Sequence, residues 1–154
     1  MAIKVGDRAP EFTLKTDSGE EFSLKEEIGK KAIVLFFYPK DFTPICTAEV
    51  CAFRDAYETF VTAGALVVGI SSDNENSHAK FRSEHKLPFV LLTDDSDGVR
   101  KKYGATSMMG LLPGRVTYVI DKKGIVRLAF SSQLSADGHV KEALAIVETL
   151  TRAQ

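Results

Sequence analysis

The sequence predicts an α/β fold built around a largely parallel central sheet, and three observations carry that prediction. Continuous β-rich runs at 32–38 and 65–71 read as strands covered on both faces. Apolar residues at helical spacing fill the stretches between and after them. Strand-like and helix-like segments alternate along most of the chain, the pattern of a layered α/β domain.

Taken in order, Phe12 and Leu14 alternate with polar neighbours as an early strand. After the turn Asp17-Ser18-Gly19, residues 20–24 alternate again as its short partner. The run 32–38 follows as the central strand. From Pro44 onward, Val50, Phe53, Tyr57, Phe60 and Val61 recur at helical spacing, and Gly64 closes this helix as a C-cap. A second central strand at 65–71 leads to a polar helix over 77–86 that carries Ala79 and Phe81 and stops before Pro88. Residues 89–92 read as a short strand. Residues 105–114 are the longest irregular stretch, and their apolar content predicts that they pack or line a pocket. Residues 117–120 and 125–130 predict an antiparallel hairpin across 121–124, with Gly124 supplying a positive φ. Val140, Ala143, Leu144, Val147 and Leu150 form the apolar stripe of a final surface helix.

The 154 residues suit one domain spanning 1–154, with no repeat, low-complexity tract or linker. Twenty basic against 21 acidic side chains leave a formal charge of -1, which gives no electrostatic reason to expect nucleic acid or an anionic membrane. The pairs Lys101-Lys102 and Lys122-Lys123 are short enough to be solvated turns. No apolar run reaches the roughly 20 residues of a membrane span, and 1–8 lacks the apolar core of a signal peptide. The expected location is therefore the cytoplasm or an equivalent reducing space. Two cysteines cannot frame a domain of this size with disulfides. In such a compartment they are catalytic, redox-active or simply buried.

The two cysteines, Cys46 and Cys51, stand five positions apart where a strand hands over to a helix. Thiolate is the reactive form of cysteine, and helix N-termini favour it. Pro44 suits the first turn, where a missing N–H costs nothing. Cys46 then faces unpaired backbone N–H groups and the positive end of the helix dipole. Thr43 is placed to cap the helix and set its hydroxyl beside the sulfur. Pro39 fixes φ just after the central strand and limits access from that side.

Pro39-x3-Thr43-x2-Cys46 matches the signature of the peroxiredoxins. The stretch 41–51 with Phe53-Arg54-Asp55 resembles the bacterioferritin-comigratory, or peroxiredoxin Q, subfamily. Val5-Gly6-Asp7-x-Ala9-Pro10-x-Phe12, residues 67–71 and residues 115–121 fit the same family. The resemblance implies a thioredoxin-like fold, a central mixed sheet flanked by helices on both faces. It implies a peroxidase acting on hydrogen peroxide and organic hydroperoxides, without haem, metal or other cofactor. By the same resemblance Cys46 is the peroxidatic cysteine and is oxidised to a sulfenic acid. Thr43 and Arg115 align and stabilise the reacting groups, and Pro39 shields them. Cys51 is the resolving cysteine of an internal disulfide, which thioredoxin or a similar dithiol protein reduces. The subfamily is often monomeric, so a monomer is expected. Ile45 stands where relatives often carry glycine, and the Gly-Gly-Leu-Gly and C-terminal Tyr-Phe elements of the over-oxidation-sensitive branch are absent.

Plainer readings stand beside these. Cys51 can simply pack, Arg115 can be a strand arginine in a surface ion pair, and Glu49 reads slightly better as a complement to the helix dipole than as a site residue. His78, His85 and His139 show no metal-ligand spacing and read as surface residues. Met108 and Met109 read as loop packing before pocket lining. If both cysteines lie on one α-helix, their Cα atoms are roughly 8–9 Å apart, beyond the roughly 7 Å limit for a disulfide. The first turns must then unwind over 43–54 before the sulfurs meet. A Cys-x-x-Cys oxidoreductase is disfavoured by the spacing, and a redox sensor using the same disulfide is the rival outside enzymes.

Overall fold

The computed structural model describes residues 3–107 and 112–152. Strand β1 (Thr13–Thr16) turns at Gly19, whose φ of 87° suits glycine, into β2 (Glu21–Ser23). The first strand starts one residue later than Phe12, which instead stacks on Phe22 in the core. Leu24 does not extend β2; fully buried, it opens the short helix α1 (Leu24–Glu27).

Strand β3 (Ala32–Phe37) is buried at every position. Helix α2 (Pro44–Asp55) follows, then α3 (Tyr57–Thr62) and β4 (Ala65–Ser71). The single helix expected up to Gly64 is thus two, broken at Ala56 with φ −94° and ψ 1°. The break carries Phe60 back onto Phe53, ring centroids 5.9 Å apart, so both phenylalanines reach one core. Helix α4 (Glu75–His85) begins earlier than expected because the Asn74 side chain caps it through the Ser77 N–H. It ends at Lys86 in the left-handed region, φ 52°. Strand β5 (Leu91–Thr93) lies later than residues 89–92, since the Phe89 side chain is committed to packing on Phe36 before the ladder begins.

Helix α5 (Gly98–Tyr103) has too few residues to show a helical period. The irregular stretch contains a small ladder of β6 (Thr106–Ser107) with β7 (Leu112–Pro113). Strands β8 (Val116–Ile120) and β9 (Val126–Ser131) form the expected hairpin, Gly124 lying at φ 83°. Helix α6 (Ala136–Arg152) closes the chain.

The sheet order is β2-β1-β5-β4-β3-β8-β9. Among the described residues only β3–β4 and β4–β5 pair in parallel, so the sheet is mixed rather than largely parallel. β1 and β8 flank this parallel core antiparallel to it through long-range pairs, and each carries its own hairpin partner, β2 and β9, a pattern that burial of single strands does not reveal. Alternate residues of β3 face two cores. Ile33, Leu35 and Phe37 meet Val99 and Tyr103 of α5, whereas Val34 and Phe36, with Tyr38 just beyond the strand, meet α2, α3, α4 and α6. Helices therefore cover both faces.

Phe36 stacks on Phe53 at 4.4 Å, which docks α2 onto the sheet. Gly69 makes room for that ring: a Cβ there would lie 2.7 Å from Phe36 Cζ and 2.9 Å from Leu91 Cδ2. Gly69→Ala is expected to destabilise the protein by about 1–3 kcal/mol through overpacking. Urea unfolding checks this, and an unchanged midpoint would refute it.

Candidate active site

The site forms where β3 ends and α2 begins. Val116 pairs with Phe37, so Arg115, one residue earlier on the antiparallel neighbour, lies beside the end of β3. Cys46 sits in the first turn of α2, fully buried among the residues that pack on Phe36. Pro39 lies half-buried in the bend between the two elements. Ile45 is also half-buried. Both cysteines are free thiols, and both lie on the unbroken helix α2.

Arg115 reaches the sulfur. Its Nη1 donates to Cys46 Sγ at 3.3 Å and to Glu49 Oε1 at 2.9 Å. Its backbone N–H donates to Gln133 Oε1, and its Nε donates to the Gln133 carbonyl, which helps aim the guanidinium. Arg115 is only 5% exposed, which rules out the surface ion pair. Burial pushes its pKa down, but Glu49 and Cys46 more than offset this and hold it above the ordinary value.

Glu49 is not a dipole complement at the surface. It is fully buried, because position 49 follows Cys46 by three and faces the same way on the helix. Burial pushes its carboxyl up to about 7, with Arg115 offsetting only part. Behind it lies His139 of α6, also fully buried, its Nδ1 3.6 Å from Glu49 Oε2. His78 is fully buried as well. Two of the three expected surface histidines therefore belong to the interior, placed there by partners far away in sequence.

Thr43 occupies the N-cap position with extended backbone, φ −83° and ψ 151°. Its side chain makes no cap bond, contrary to expectation; the hydroxyl is turned towards the Lys40 carbonyl, to which it donates at 3.0 Å. Just before it, Phe42 lies at φ 66°, an outlier for an aromatic residue. Its ring rests on Phe81, centroids 5.0 Å apart, and the residue as a whole is 44% exposed.

Asp41 anchors this strained corner. Its Oδ1 accepts from the Tyr38 hydroxyl at 2.6 Å, and its Oδ2 accepts from the Ser77 hydroxyl at 2.8 Å. His78 Nδ1 lies 2.8 Å from the same Oδ2. The Asp41 N–H donates to Asp73 Oδ2, which also accepts from Ser71. Asp41, Asp73 and His78 bring potential ligand atoms within 4.8 Å of one another, although their spacing in the sequence carries no metal motif. Both Asp41 oxygens are already engaged in the hydrogen bonds just named, so the cluster acts as a latch on the start of α2.

Arg100 of α5 is a further residue that sequence reasoning misses. Only 2% exposed, it donates to the carbonyls of Tyr38, Ala105 and Gly114, tying three segments together around the site. Three chain segments without a common motif meet there, so no local signal marks it. On the far side of α2, Cys51 is half-buried, with His85 Nδ1 3.9 Å from its sulfur. Met108 and Met109 lie outside the described residues.

This arrangement offers a buried thiol held by a guanidinium at a helix start, with a second thiol on the same helix. Residues 5–129 match the AhpC/TSA family. The chain is 48% identical over 149 residues to the chloroplastic peroxiredoxin Q of Sedum lineare, covering 96% of this chain and 80% of that one. Among solved structures, the peroxidoxin BcpB of Mycobacterium tuberculosis superposes with a TM-score of 0.89 at 36% identity, over 96% of this chain and 98% of that one. The bacterioferritin comigratory protein of Xanthomonas campestris, whose alkyl peroxide reduction activity has been studied, does so at 0.83 and 27% identity, over 91% and 92%.

Proposed function

The chain belongs to the AhpC/TSA family, in its thioredoxin-like peroxiredoxin Q branch, and is a thiol-dependent peroxidase; on that premise we propose that Cys46 is its peroxidatic thiol and Cys51 its resolving thiol. The observation that carries the assignment is the Arg115 Nη1–Cys46 Sγ contact of 3.3 Å, made to a sulfur fully buried in the first turn of α2. The Cys46 thiolate attacks one peroxide oxygen, the O–O bond breaks, and the sulfur becomes a sulfenic acid while the leaving oxygen takes up a proton. Arg115 stabilises the charge on the sulfur and on the leaving oxygen. Thr43 aligns the peroxide, for which its hydroxyl turns away from the Lys40 carbonyl. Pro39 closes the site beside β3.

Resolution follows from the helix. The Cys51 thiolate attacks the sulfenic sulfur, hydroxide leaves and is protonated to water, and a disulfide forms. Because both thiols lie on α2, the helix unwinds before they meet. The strained φ at Phe42 makes that corner the natural hinge. A peroxide substrate and a thiol reductant come with the family. Thioredoxin or a similar dithiol protein is the reductant this reading assigns, with the chain acting as a monomer. Organic hydroperoxides join hydrogen peroxide as substrates, in keeping with the alkyl peroxide activity of the Xanthomonas campestris relative. The dithiol cycle requires a reducing compartment, the cytoplasm in this reading, whereas the Sedum relative is named chloroplastic.

Single-turnover peroxide consumption with mass spectrometry tests the assignment. Wild type is expected to end as a disulfide, Cys51→Ser to consume one equivalent and stop at the sulfenic acid, and Cys46→Ser to consume none. Consumption by Cys46→Ser at the wild-type rate would sink the assignment. A slow reaction at Cys46 would favour the sensor reading.

A further inference from the structure

Behind the Arg115–Cys46 contact, the hydrogen bonds fix where protons sit. His139 Nε2 lies 2.8 Å from the Ser132 carbonyl, which only accepts, so Nε2 carries a hydrogen. Nδ1 of a neutral His139 is then bare and accepts from the Thr117 hydroxyl at 2.7 Å. Glu49 Oε2 lies 3.6 Å from that same nitrogen and, among the described residues, has no hydrogen-bond partner. An ionised Glu49 would hold a bare anionic oxygen against a nitrogen lone pair, away from water. A proton on Oε2 or on Nδ1 removes the conflict.

We propose that Glu49 and His139 hold one proton between them, whose presence assigns Arg115 to the Cys46 sulfur and whose loss assigns Arg115 to Glu49. One nitrogen, Nη1, serves both Cys46 Sγ and Glu49 Oε1, so two buried anions would compete for one donor. With the proton held, one guanidinium faces one thiolate and the buried charges balance. With it lost, a second negative charge shares the same cation, which a dry site disfavours. Burial pushes Glu49 up to about 7, while burial and Arg115 hold His139 below its ordinary value. The proton therefore rests on the carboxyl near neutral pH. The ionisable groups facing Glu49 are Cys46 on its own helix, Arg115 at the head of β8 and His139 from α6; the Phe130 ring packs edge-on against His139. Glu49 and His139 are positioning residues, acting through Arg115.

The proposal rests on Cys46 being the peroxidatic thiol, and the test separates the two. The second-order rate of Cys46 oxidation by hydrogen peroxide is followed from about pH 5.5 to 9 in wild type, Glu49→Gln and His139→Asn. Wild type is expected to lose about tenfold in rate on the alkaline side of the Glu49 titration. Glutamine keeps an oxygen for Arg115 and cannot ionise, so Glu49→Gln is expected to show no such fall. Asparagine can place an amide donor near the Nδ1 position. His139→Asn is therefore expected to satisfy Oε2 and shift the fall about one unit lower. In parallel, infrared spectra of the peroxide-free protein are expected to show a protonated-carboxyl band that disappears as pH rises through 7, absent in Glu49→Gln. An alkaline fall that survives in Glu49→Gln, or a missing band, overturns the proposal, and Glu49→Gln alone decides it if His139→Asn does not fold. A titrating band with no peroxide reaction at Cys46 overturns the peroxidatic assignment and leaves the shared proton standing.

Discussion

Replacing Arg115 with glutamine is expected to slow oxidation of Cys46 by hydrogen peroxide roughly 10²–10³-fold, the usual effect of removing one preorganised charged donor from a buried site. The guanidinium is the cation bonded to the sulfur, and its aim is set by Gln133 before any substrate arrives. Glutamine retains polarity but loses the charge, so the thiolate and the leaving oxygen lose their shared partner. Arg115→Lys keeps the charge yet cannot hold the sulfur, the Glu49 carboxyl oxygen and the Gln133 carbonyl at once. It is expected to fall between wild type and glutamine. Competition kinetics against a reference peroxidase measure the rates, and far-UV circular dichroism checks the fold. A well-folded glutamine variant within threefold of wild type would refute the role.

Asp41→Ala is expected to destabilise the protein by about 3 kcal/mol. The substitution leaves the Tyr38 and Ser77 hydroxyls without their acceptor, and the His78 ring without its partner, in a buried pocket. Burial and Asp41 push the Tyr38 phenol well above its ordinary value, so it keeps its proton and still needs an acceptor. Tyr38→Phe removes one of these bonds together with its donor, and is expected to cost only about 1 kcal/mol. Thermal denaturation of the pair gives the comparison. The latch also holds the residue before the strained Phe42. Releasing it is expected to speed closure of the Cys46–Cys51 disulfide while slowing peroxide attack, because α2 opens more readily and the site is assembled less of the time. Equal melting temperatures for wild type and Asp41→Ala would refute the latch.

What was legible and what was not divides along interaction range. The strands at 32–37, 65–71 and 116–120 announced themselves because consecutive buried residues leave a continuous apolar run. The start of α2 was legible because Pro44 is a local signal. The break at Ala56 was not, since Phe53 and Phe60 keep helical spacing across it and only their shared core imposes the bend. Thr43 shows the same limit at a single side chain. Its position follows from the sequence, whereas its hydroxyl's partner depends on how the loop brings the Lys40 carbonyl near.

The sequence by itself points to Cys46 at a helix start, to Arg115 as its partner through the family motif, and to a second thiol five positions along the same helix. All of these follow from spacing along one element or from a motif. Only the tertiary structure decided that Glu49 shares Arg115, that His139 stands behind it and that Asp41 latches the turn. Those partners lie 66, 22 and 37 positions away from the residues they bond, in the Glu49–Arg115, Thr117–His139 and Asp41–His78 pairs. Ionisation and hydrogen bonding depend on which groups the fold removes from water together, and no local pattern records that.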